Sequence, residues 1–235
     1  MKQKLQVIKA AFPYTIPVMA GYLTLGTAFG LLMVSSGYRP VWAFLMSVLV
    51  FAGSAQFLGV GLLVAGATLV QVAVLTFILN FRHFFYGLSM LVKYRGTGWK
   101  KWYLMFGLTD ETYAILSTQE PPAGVDRHAF YMAVTAMNQS YWVGGSLIGA
   151  LAGTLIRFNT AGLDFAMTAL FAVLVVEQWK AHKNHFPALL GFGVILASLL
   201  IFGPDNFLIP GLVVISALLL ILRKPLHIDQ EEENA

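Results

Sequence analysis

The sequence predicts an all-α, polytopic membrane protein with about seven to eight hydrophobic segments, some of them re-entrant, and a two-fold internal repeat. Three observations carry this. Of the 235 residues 58% are apolar and only 11% charged, against roughly a quarter charged in an ordinary soluble domain. A chain of this length cannot enclose so much apolar surface in a water-soluble particle, which leaves the bilayer as its solvent. The apolar residues fall in long continuous runs, which rules out barrel strands that alternate faces over about ten residues. Finally, 23 of the 26 charged residues lie in loops, tails or segment ends.

In chain order, Met1 to Ala11 carries Lys2, Lys4 and Lys9 and reads as a cytoplasmic tail. The apolar run behind it is too long for a signal-peptide core and is expected to stay attached as the first membrane segment. Segments follow near residues 12–34, 41–65, 69–92, 102–117, 129–155, 165–179, 186–202 and 207–222, together one transport domain over 12–222. Pro13 and Pro17 start or kink the first. Gly21, Gly26 and Gly30, with Gly145, Gly149 and Gly153, read as helix contact faces. Asp164 reads as an N-cap. Residues 223–235, with Asp229, Glu231, Glu232 and Glu233, form an acidic, disordered tail.

Eight straight crossings would leave Lys93, Arg95, Lys100 and Lys101 outside. Folding one early segment and 102–117 back as re-entrant hairpins puts 12 basic residues inside (Lys2, Lys4, Lys9, Lys93, Arg95, Lys100, Lys101, Arg127, Lys180, Lys183, Arg223, Lys224) and leaves Arg39 and Arg157 outside. The positive-inside rule prefers the second arrangement, and the crossing count stays open. Gly26 and Gly30 recur 123 residues on as Gly149 and Gly153, while Phe44, Met46, Ser47 and Gln56 meet Phe165, Met167, Thr168 and Glu177 at a lag of 121. Two related halves suit a transporter.

The charge of +4 sits in the flanks of apolar segments, where topology and lipid headgroups account for it, so nucleic acid is excluded as a partner. With no cysteine, thiolate metal sites, thiol catalysis and disulfides are excluded together. No metal site or cofactor is expected.

Only Arg82, Asp110 and Glu111 bring charge into apolar runs. Charge at membrane depth costs about 2.5–3.5 kcal/mol on insertion scales, so such residues face a bundle interior or wet cavity and pair with each other. Two readings stand: a structural ion pair of Arg82 with Asp110 or Glu111, or a substrate and proton pathway. Asn80, His83 and Gly87 share a helical face, with Arg82 and Tyr86 on the neighbouring stripe. Adjacent carboxylates do not both ionise easily in low dielectric, so one of Asp110 and Glu111 could load a proton while the other neutralises Arg82. A plain helix start at Thr109-Asp110-Glu111 is the simpler alternative. In the second segment Gly53, Ser54 and Gln56 break the apolar run, and such breaks expose backbone groups that line cavities or permit close packing. The candidate substrate residues are therefore Gly53, Ser54, Gln56, Asn80 and Arg82. The proton-coupling or ion-pair residues are His83, Asp110 and Glu111. Asn138 and Gln139 are expected to bond between helices. An intramembrane hydrolase with Ser54 as nucleophile and His83 as base, or a channel or structural subunit, are the competing classes.

Phe51-Ala-Gly-Ser-Ala-Gln-Phe57, Asn80-Phe-Arg-His83, Leu108-Thr-Asp-Glu111 and Gly162-Leu-Asp-Phe-Ala166 occur in the order and spacing of the AzlC family, which the whole chain resembles. That family is the large subunit of bacterial branched-chain amino acid exporters, LIV-E type permeases. Phe81 stands where the family often has leucine, and the stretch from Gly21 lacks a proline that many members carry before the second glycine. The resemblance implies export of leucine, isoleucine, valine or similar neutral amino acids across the cytoplasmic membrane, with a small hydrophobic AzlD-type partner subunit. It leaves the exact substrate and the coupling ion open.

Overall fold

The computed structural model describes residues 2–155, 185–203 and 207–222, with isolated helical positions at 172, 175, 176 and 179. The expected segment 165–179, Asp164, the tail 223–235 and the repeat positions Phe165, Met167, Thr168 and Glu177 lie outside the residues it describes in full. Every described element is helical. The chain divides into two units, Met1–Met167 and Thr168–Ala235.

The first unit holds α1 (Lys2–Ser35), α2 (Pro40–Leu49), α3 (Gly53–Val64), α4 (Leu69–Met90), α5 (Lys100–Phe106), α6 (Asp110–Thr118) and α7 (Arg127–Leu155). With 34 residues, α1 extends about 51 Å at 1.5 Å per residue. It begins at Lys2 instead of near residue 12 because Val7 and Ala11 are buried, Ala11 in one cluster with Met90, Leu104, Leu116, Phe130 and Tyr131. The helix runs on through Pro13 and Pro17.

α1 and α7 form the frame. A Cβ on Gly26 would sit 2.9 Å from the Trp142 carbonyl oxygen, and one on Gly145 would sit 2.8 Å from that of Tyr22. A Cβ on Gly30 or Gly149 would overlap the carbonyl of Ser146 or Thr27 outright. The helices touch backbone to backbone because neither has side chains there, the small-residue contact that lets helices associate in lipid. Contacts advance together along both (Tyr22 with Gly145, Thr27 with Gly149, Val34 with Gly153), so the helices run parallel.

Two broken helix pairs are hung on this frame. α2 leaves the C-terminal end of α1 after a short turn in which the Tyr38 amide donates to the Met33 carbonyl. It reaches Gln139, whose Nε2 donates to the Val48 carbonyl at 3.3 Å. The chain breaks over residues 50–52 and α3 turns back: Phe51 packs on Tyr22 and Phe57 on Phe29, so α3 follows α1 toward the end that α2 came from. α5 and α6 make the matching excursion from the other end. Gly96 faces His128 and Gly107 lies against Thr135, so α5 ascends along α7. α6 descends again, from the Asn138–Thr112 bond at 3.0 Å to the Arg127–Glu120 ion pair at 3.2 Å. Lys93, just past α4, donates to the Leu116 and Ser117 carbonyls at 2.9 and 2.7 Å, meeting the unpaired acceptors of the last turn of α6. α4 spans the distance between the open ends, begun by a capping box of Thr68 and Gln71.

The segments expected over 41–65 and 102–117 are therefore each two short helices with a break. At the first break Phe51 has φ 44, a left-handed conformation costly for a bulky side chain. It is held by burial among Tyr22 and Phe106. At the second, Gly107 is required because a Cβ would overlap the Thr135 methyl, and Thr109 caps α6 by accepting from the Thr112 amide.

The second unit contains α8 (Phe186–Phe202) and α9 (Leu208–Leu222). Gly191 faces Ile215 while Gly211 faces Ile195 and Ser198, which makes them antiparallel. The Ser198 hydroxyl donates to the Phe207 carbonyl at 2.6 Å.

Gly149→Ala is expected to lose about 1–3 kcal/mol of stability through overpacking, whereas Gly21→Ala or Gly144→Ala, with nothing within 4 Å of the new methyl, stays near wild type. Thermal unfolding of the detergent-solubilised protein measures the difference; equal melting temperatures would mean α1 and α7 are not in backbone contact.

Candidate functional site

The two breaks meet. Phe51 of the first and Phe106 of the second lie 6.3 Å apart between ring centres. Between them a cavity of about 150 Å³ is lined by Val50, Phe51, Ala52, Asn80, His83, Met105, Phe106 and Leu108. It is smaller than the roughly 300–1,000 Å³ of drug-sized sites, the scale of a single small metabolite. Its wall is apolar except for Asn80, His83 and the backbone freed at the breaks. His83 Nδ1 lies 3.2 Å from the Asn80 carbonyl oxygen, and its ring packs edge-on to Tyr86.

Arg82 lies between those two polar residues in α4, and Asp110 begins α6 two residues after Leu108. Arg82 Nη2 stands 2.8 Å from Asp110 Oδ2, with the side chains 39% and 37% exposed. The contact is single-pronged. Arg82 Nε and Asp110 Oδ1 are buried atoms with no hydrogen-bond partner among the described residues. The pair thus keeps one unused donor on the cation and one unused acceptor on the anion, and neither Arg82 nor Asp110 is among the residues that line the cavity.

Of the two carboxylates that the sequence left as alternatives, Arg82 takes Asp110. Glu111 turns toward α1, where its Oε2 accepts from the Tyr22 hydroxyl at 2.6 Å. Tyr22 Oη also lies 2.7 Å from Thr109 Oγ1, which is 3.0 Å from Thr112 Oγ1, itself the acceptor of Asn138 Nδ2.

The glycine break places its residues differently from one another. Gly53 starts α3 under the indole of Trp142, where a Cβ would lie 3.5 Å from that ring. Ser54 is half-buried and does not line the cavity. Gln56, expected in the lining, is wholly buried and serves the break from behind. Its Oε1 accepts from the freed Ala52 amide at 3.2 Å and from Trp142 Nε1 at 2.9 Å, and its Nε2 donates to Ser47. No hydrogen bond joins Ser54 to His83 among the described residues.

Sequence reasoning missed Phe51 as a strained tip, and Tyr22, Thr109, Thr112 and Trp142 as polar partners. Phe51, Tyr22 and Trp142 are hidden in composition because an aromatic ring in an apolar run reads as packing. Thr109 and Thr112 had a signal, the spacing of an N-cap, which points to a helix start and not to a bonded chain. Gln139 ties both hairpins to α7, accepting from the Tyr103 hydroxyl at 2.7 Å while donating to Val48.

A family profile described as AzlC protein matches residues 17–156, more than half of the chain. The chain belongs to the AzlC family. It is 48% identical over 219 residues, 93% of this chain and 86% of the other, to the branched-chain amino acid transport protein AzlC of Bacillus subtilis. It is 41% identical over 227 residues, 97% of this chain and 100% of the other, to an uncharacterized membrane protein of Helicobacter pylori. The inner membrane protein YgaZ of Escherichia coli is 27% identical over 182 residues, 72% of each chain. No solved structure matches. With its apolar helices, this AzlC-family chain is a multi-pass membrane protein; α1 and α4 are each long and apolar enough to cross a bilayer.

Removing one member of the half-buried Arg82–Asp110 pair strands the other charge, whereas removing both does not. A double-mutant cycle of Arg82→Ala and Asp110→Ala on thermal stability is expected to give a coupling on the order of 1 kcal/mol. Strict additivity of the two losses would show that the pair does not hold α4 to α6.

Proposed function

We propose that this protein is a secondary transporter of the cytoplasmic membrane that exports branched-chain or similar neutral amino acids, coupled to proton entry and working with a small AzlD-type subunit. The observation that carries the reading is the pair of free atoms at Arg82 and Asp110. A zwitterion needs a cationic donor for its carboxylate, an anionic acceptor for its ammonium and an apolar wall for its side chain. Arg82 Nε–H and Asp110 Oδ1 supply the first two. Asn80 flanks them in α4, the start of α3 at Gly53 and Ser54 brings the positive end of a half-helix to the break, and Phe51, Met105, Phe106 and Leu108 supply the wall. Gln56 contributes by holding the break open. The transport name of the Bacillus subtilis relative agrees with this chemistry. The hydrolase alternative gains nothing from the geometry, since a nucleophile needs its base within hydrogen-bond reach.

In this reading α2–α3 and α5–α6 are re-entrant hairpins entering from opposite membrane faces and meeting at mid-depth, which keeps irregular backbone in a protein-lined cavity and away from lipid. Trp42 near the mouth of one, and Trp99 and Trp102 at the mouth of the other, are strongly exposed aromatic anchors for the two interfaces. With α1, α4 and α7 as full crossings, the basic loop 93–101 falls on the cytoplasmic side with the amino terminus. The parallel α1–α7 contact is compatible with the internal repeat: Tyr22 and Leu23 meet Gly145 and Thr27 meets Gly149, at offsets of 122 and 123 beside the glycine lag of 123, while Gly26 with Trp142 and Gly30 with Ser146 are offset by 116. Halves related this way share one orientation, about an axis along the membrane normal.

A neutral zwitterion has no electrical driving force of its own, so uphill export must borrow a gradient. Reconstituted with the small subunit, the protein is expected to drive efflux of labelled leucine that slows when the pH gradient is collapsed. Arg82→Gln or Asp110→Asn should each cut the rate about ten- to a hundredfold, the cost of a lost hydrogen bond to a charged group. Leucine efflux unaffected by either substitution would remove the site, and uphill efflux indifferent to the gradient would remove the proton.

Because the chain has no cysteine, single cysteines report sidedness directly. Ser36→Cys and Ala65→Cys should label from the same face, and Trp99→Cys and Gln119→Cys together from the opposite one. Labelling of Ser36→Cys and Ala65→Cys from opposite faces would turn α2–α3 into a crossing.

A further inference from the structure

We infer that Tyr22, Thr109 and Thr112 are positioning residues that carry the protonation state of Glu111 into the core, where it is read by Asn138 as an exchange of amide oxygen for amide nitrogen. This deepens the proton-coupled reading above and rests on it for its use in transport, though not for its chemistry.

A count of hydrogens fixes the direction of every link. Glu111 is exposed on the first unit, while Tyr22, Thr109, Thr112 and Asn138 are buried, Thr112 and Asn138 completely. The four contacts that link them run without a gap: 2.6 Å from Glu111 Oε2 to Tyr22 Oη, 2.7 Å to Thr109 Oγ1, 3.0 Å to Thr112 Oγ1 and 3.0 Å to Asn138 Nδ2. Each hydroxyl owns one hydrogen, and an ionised carboxylate only accepts. With Glu111 ionised, Tyr22 must give its hydrogen to Glu111. Thr109 must then donate to Tyr22, Thr112 to Thr109, and only an N–H can complete the chain at Thr112. This is the arrangement in the structure, where Asn138 Nδ2 faces Thr112 and Asn138 Oδ1 is left buried without a partner among the described residues.

A proton placed on Oε2 of Glu111, the oxygen that faces Tyr22, reverses every link. The carboxylic acid donates to Tyr22, Tyr22 to Thr109 and Thr109 to Thr112, whose own hydrogen now needs an acceptor. Asn138 meets it by turning its amide over, bringing Oδ1 to Thr112 and Nδ2 to the place Oδ1 held. No proton moves beyond Glu111; each hydroxyl keeps its hydrogen and rotates, and the amide exchanges its ends. The α7 face that carries Asn138 and, one turn before it, the equally buried Thr135 hydroxyl, which has no partner among the described residues, changes from offering an acceptor to offering a donor. In low dielectric an unmet donor or acceptor is costly, so such a reversal is transmitted in full along the chain.

The two adjacent carboxylates differ in what faces them. The titratable and charged groups about it are Tyr22 from α1, Asp110 beside it on α6 and, through Asp110, Arg82 from α4; α7 faces the chain with the uncharged Asn138. Asp110 is committed to Arg82, whereas Glu111 has a phenol for a partner and no cation within salt-bridge distance among the described residues.

The test is the acid-induced infrared difference spectrum of the solubilised full chain, isotopically labelled at the asparagine side-chain carbonyl. Acidification of the wild type should produce a carboxylic-acid band that is missing in Glu111→Gln, and in the same titration shift the labelled band that is missing in Asn138→Leu. Thr112→Val and Tyr22→Phe, which cut the chain at different links while keeping side-chain shape, should each retain the Glu111 band and lose the Asn138 shift. Thr112→Ser should recover it. An Asn138 shift that survives in either folded cut variant, or a wild type whose Glu111 band appears with no Asn138 shift, overturns the inference. The spectra need no transport: a protein that shows the coupled bands yet exports leucine without regard to the pH gradient would overturn proton coupling alone.

Discussion

Everything in the first unit is referred to one contact, the backbone-to-backbone seam of α1 and α7. Lipid offers no hydrophobic reason for two apolar helices to associate, so contact must come from close packing and from hydrogen bonds. Glycines at 26, 30, 145 and 149 let the chains approach until a single methyl would collide with a carbonyl. The seam also sets the register. It brings Tyr22 and Trp142 side by side, 5.4 Å between ring centres, and these two residues then hold the tip of each broken helix pair: Trp142 through Gln56 and Gly53, Tyr22 through Thr109, Glu111 and Phe51.

The breaks are the second constraint. A helix interrupted at membrane depth frees amides and carbonyls that lipid cannot satisfy. The protein meets this with side chains chosen for the purpose: Gln56 accepts from the Ala52 amide, Gln139 donates to the Val48 carbonyl, and Thr109 accepts from the Thr112 amide. Phe51 remains in a left-handed conformation, and strain of this kind persists only where surrounding packing over-determines it. It lies in the cavity wall, between the two tips.

Electrostatics then divides two adjacent carboxylates that are indistinguishable in composition. Successive residues of a helix diverge by about 100°, so Asp110 faces α4 and Arg82 while Glu111 faces α1 and Tyr22. One becomes a charge partner, the other the end of a hydroxyl chain. The simple account of Thr109-Asp110-Glu111 as a helix start is also true: Thr109 caps α6, and acidic residues in the first turn suit its dipole. Capping and pairing coexist because the same first turn of α6 lies between α1 and α4.

The sequence by itself determined the solvent, the helical class and the family, because these depend on composition, on run length and on short motifs that are local in the chain. It also marked Arg82, Asp110 and Glu111, since charge inside an apolar run needs no structure to be conspicuous, and it marked the interruption near Gly53. Only the tertiary structure decided which carboxylate Arg82 takes, that Gln56 braces the break from behind, and that Tyr22, Thr109 and Thr112 join Glu111 to Asn138, residues up to 116 positions apart in the chain. The physical reason is that a hydrogen bond depends on helix rotation and register, quantities fixed by the meeting of α1 with α7, and an apolar run looks the same to lipid whichever way it is turned.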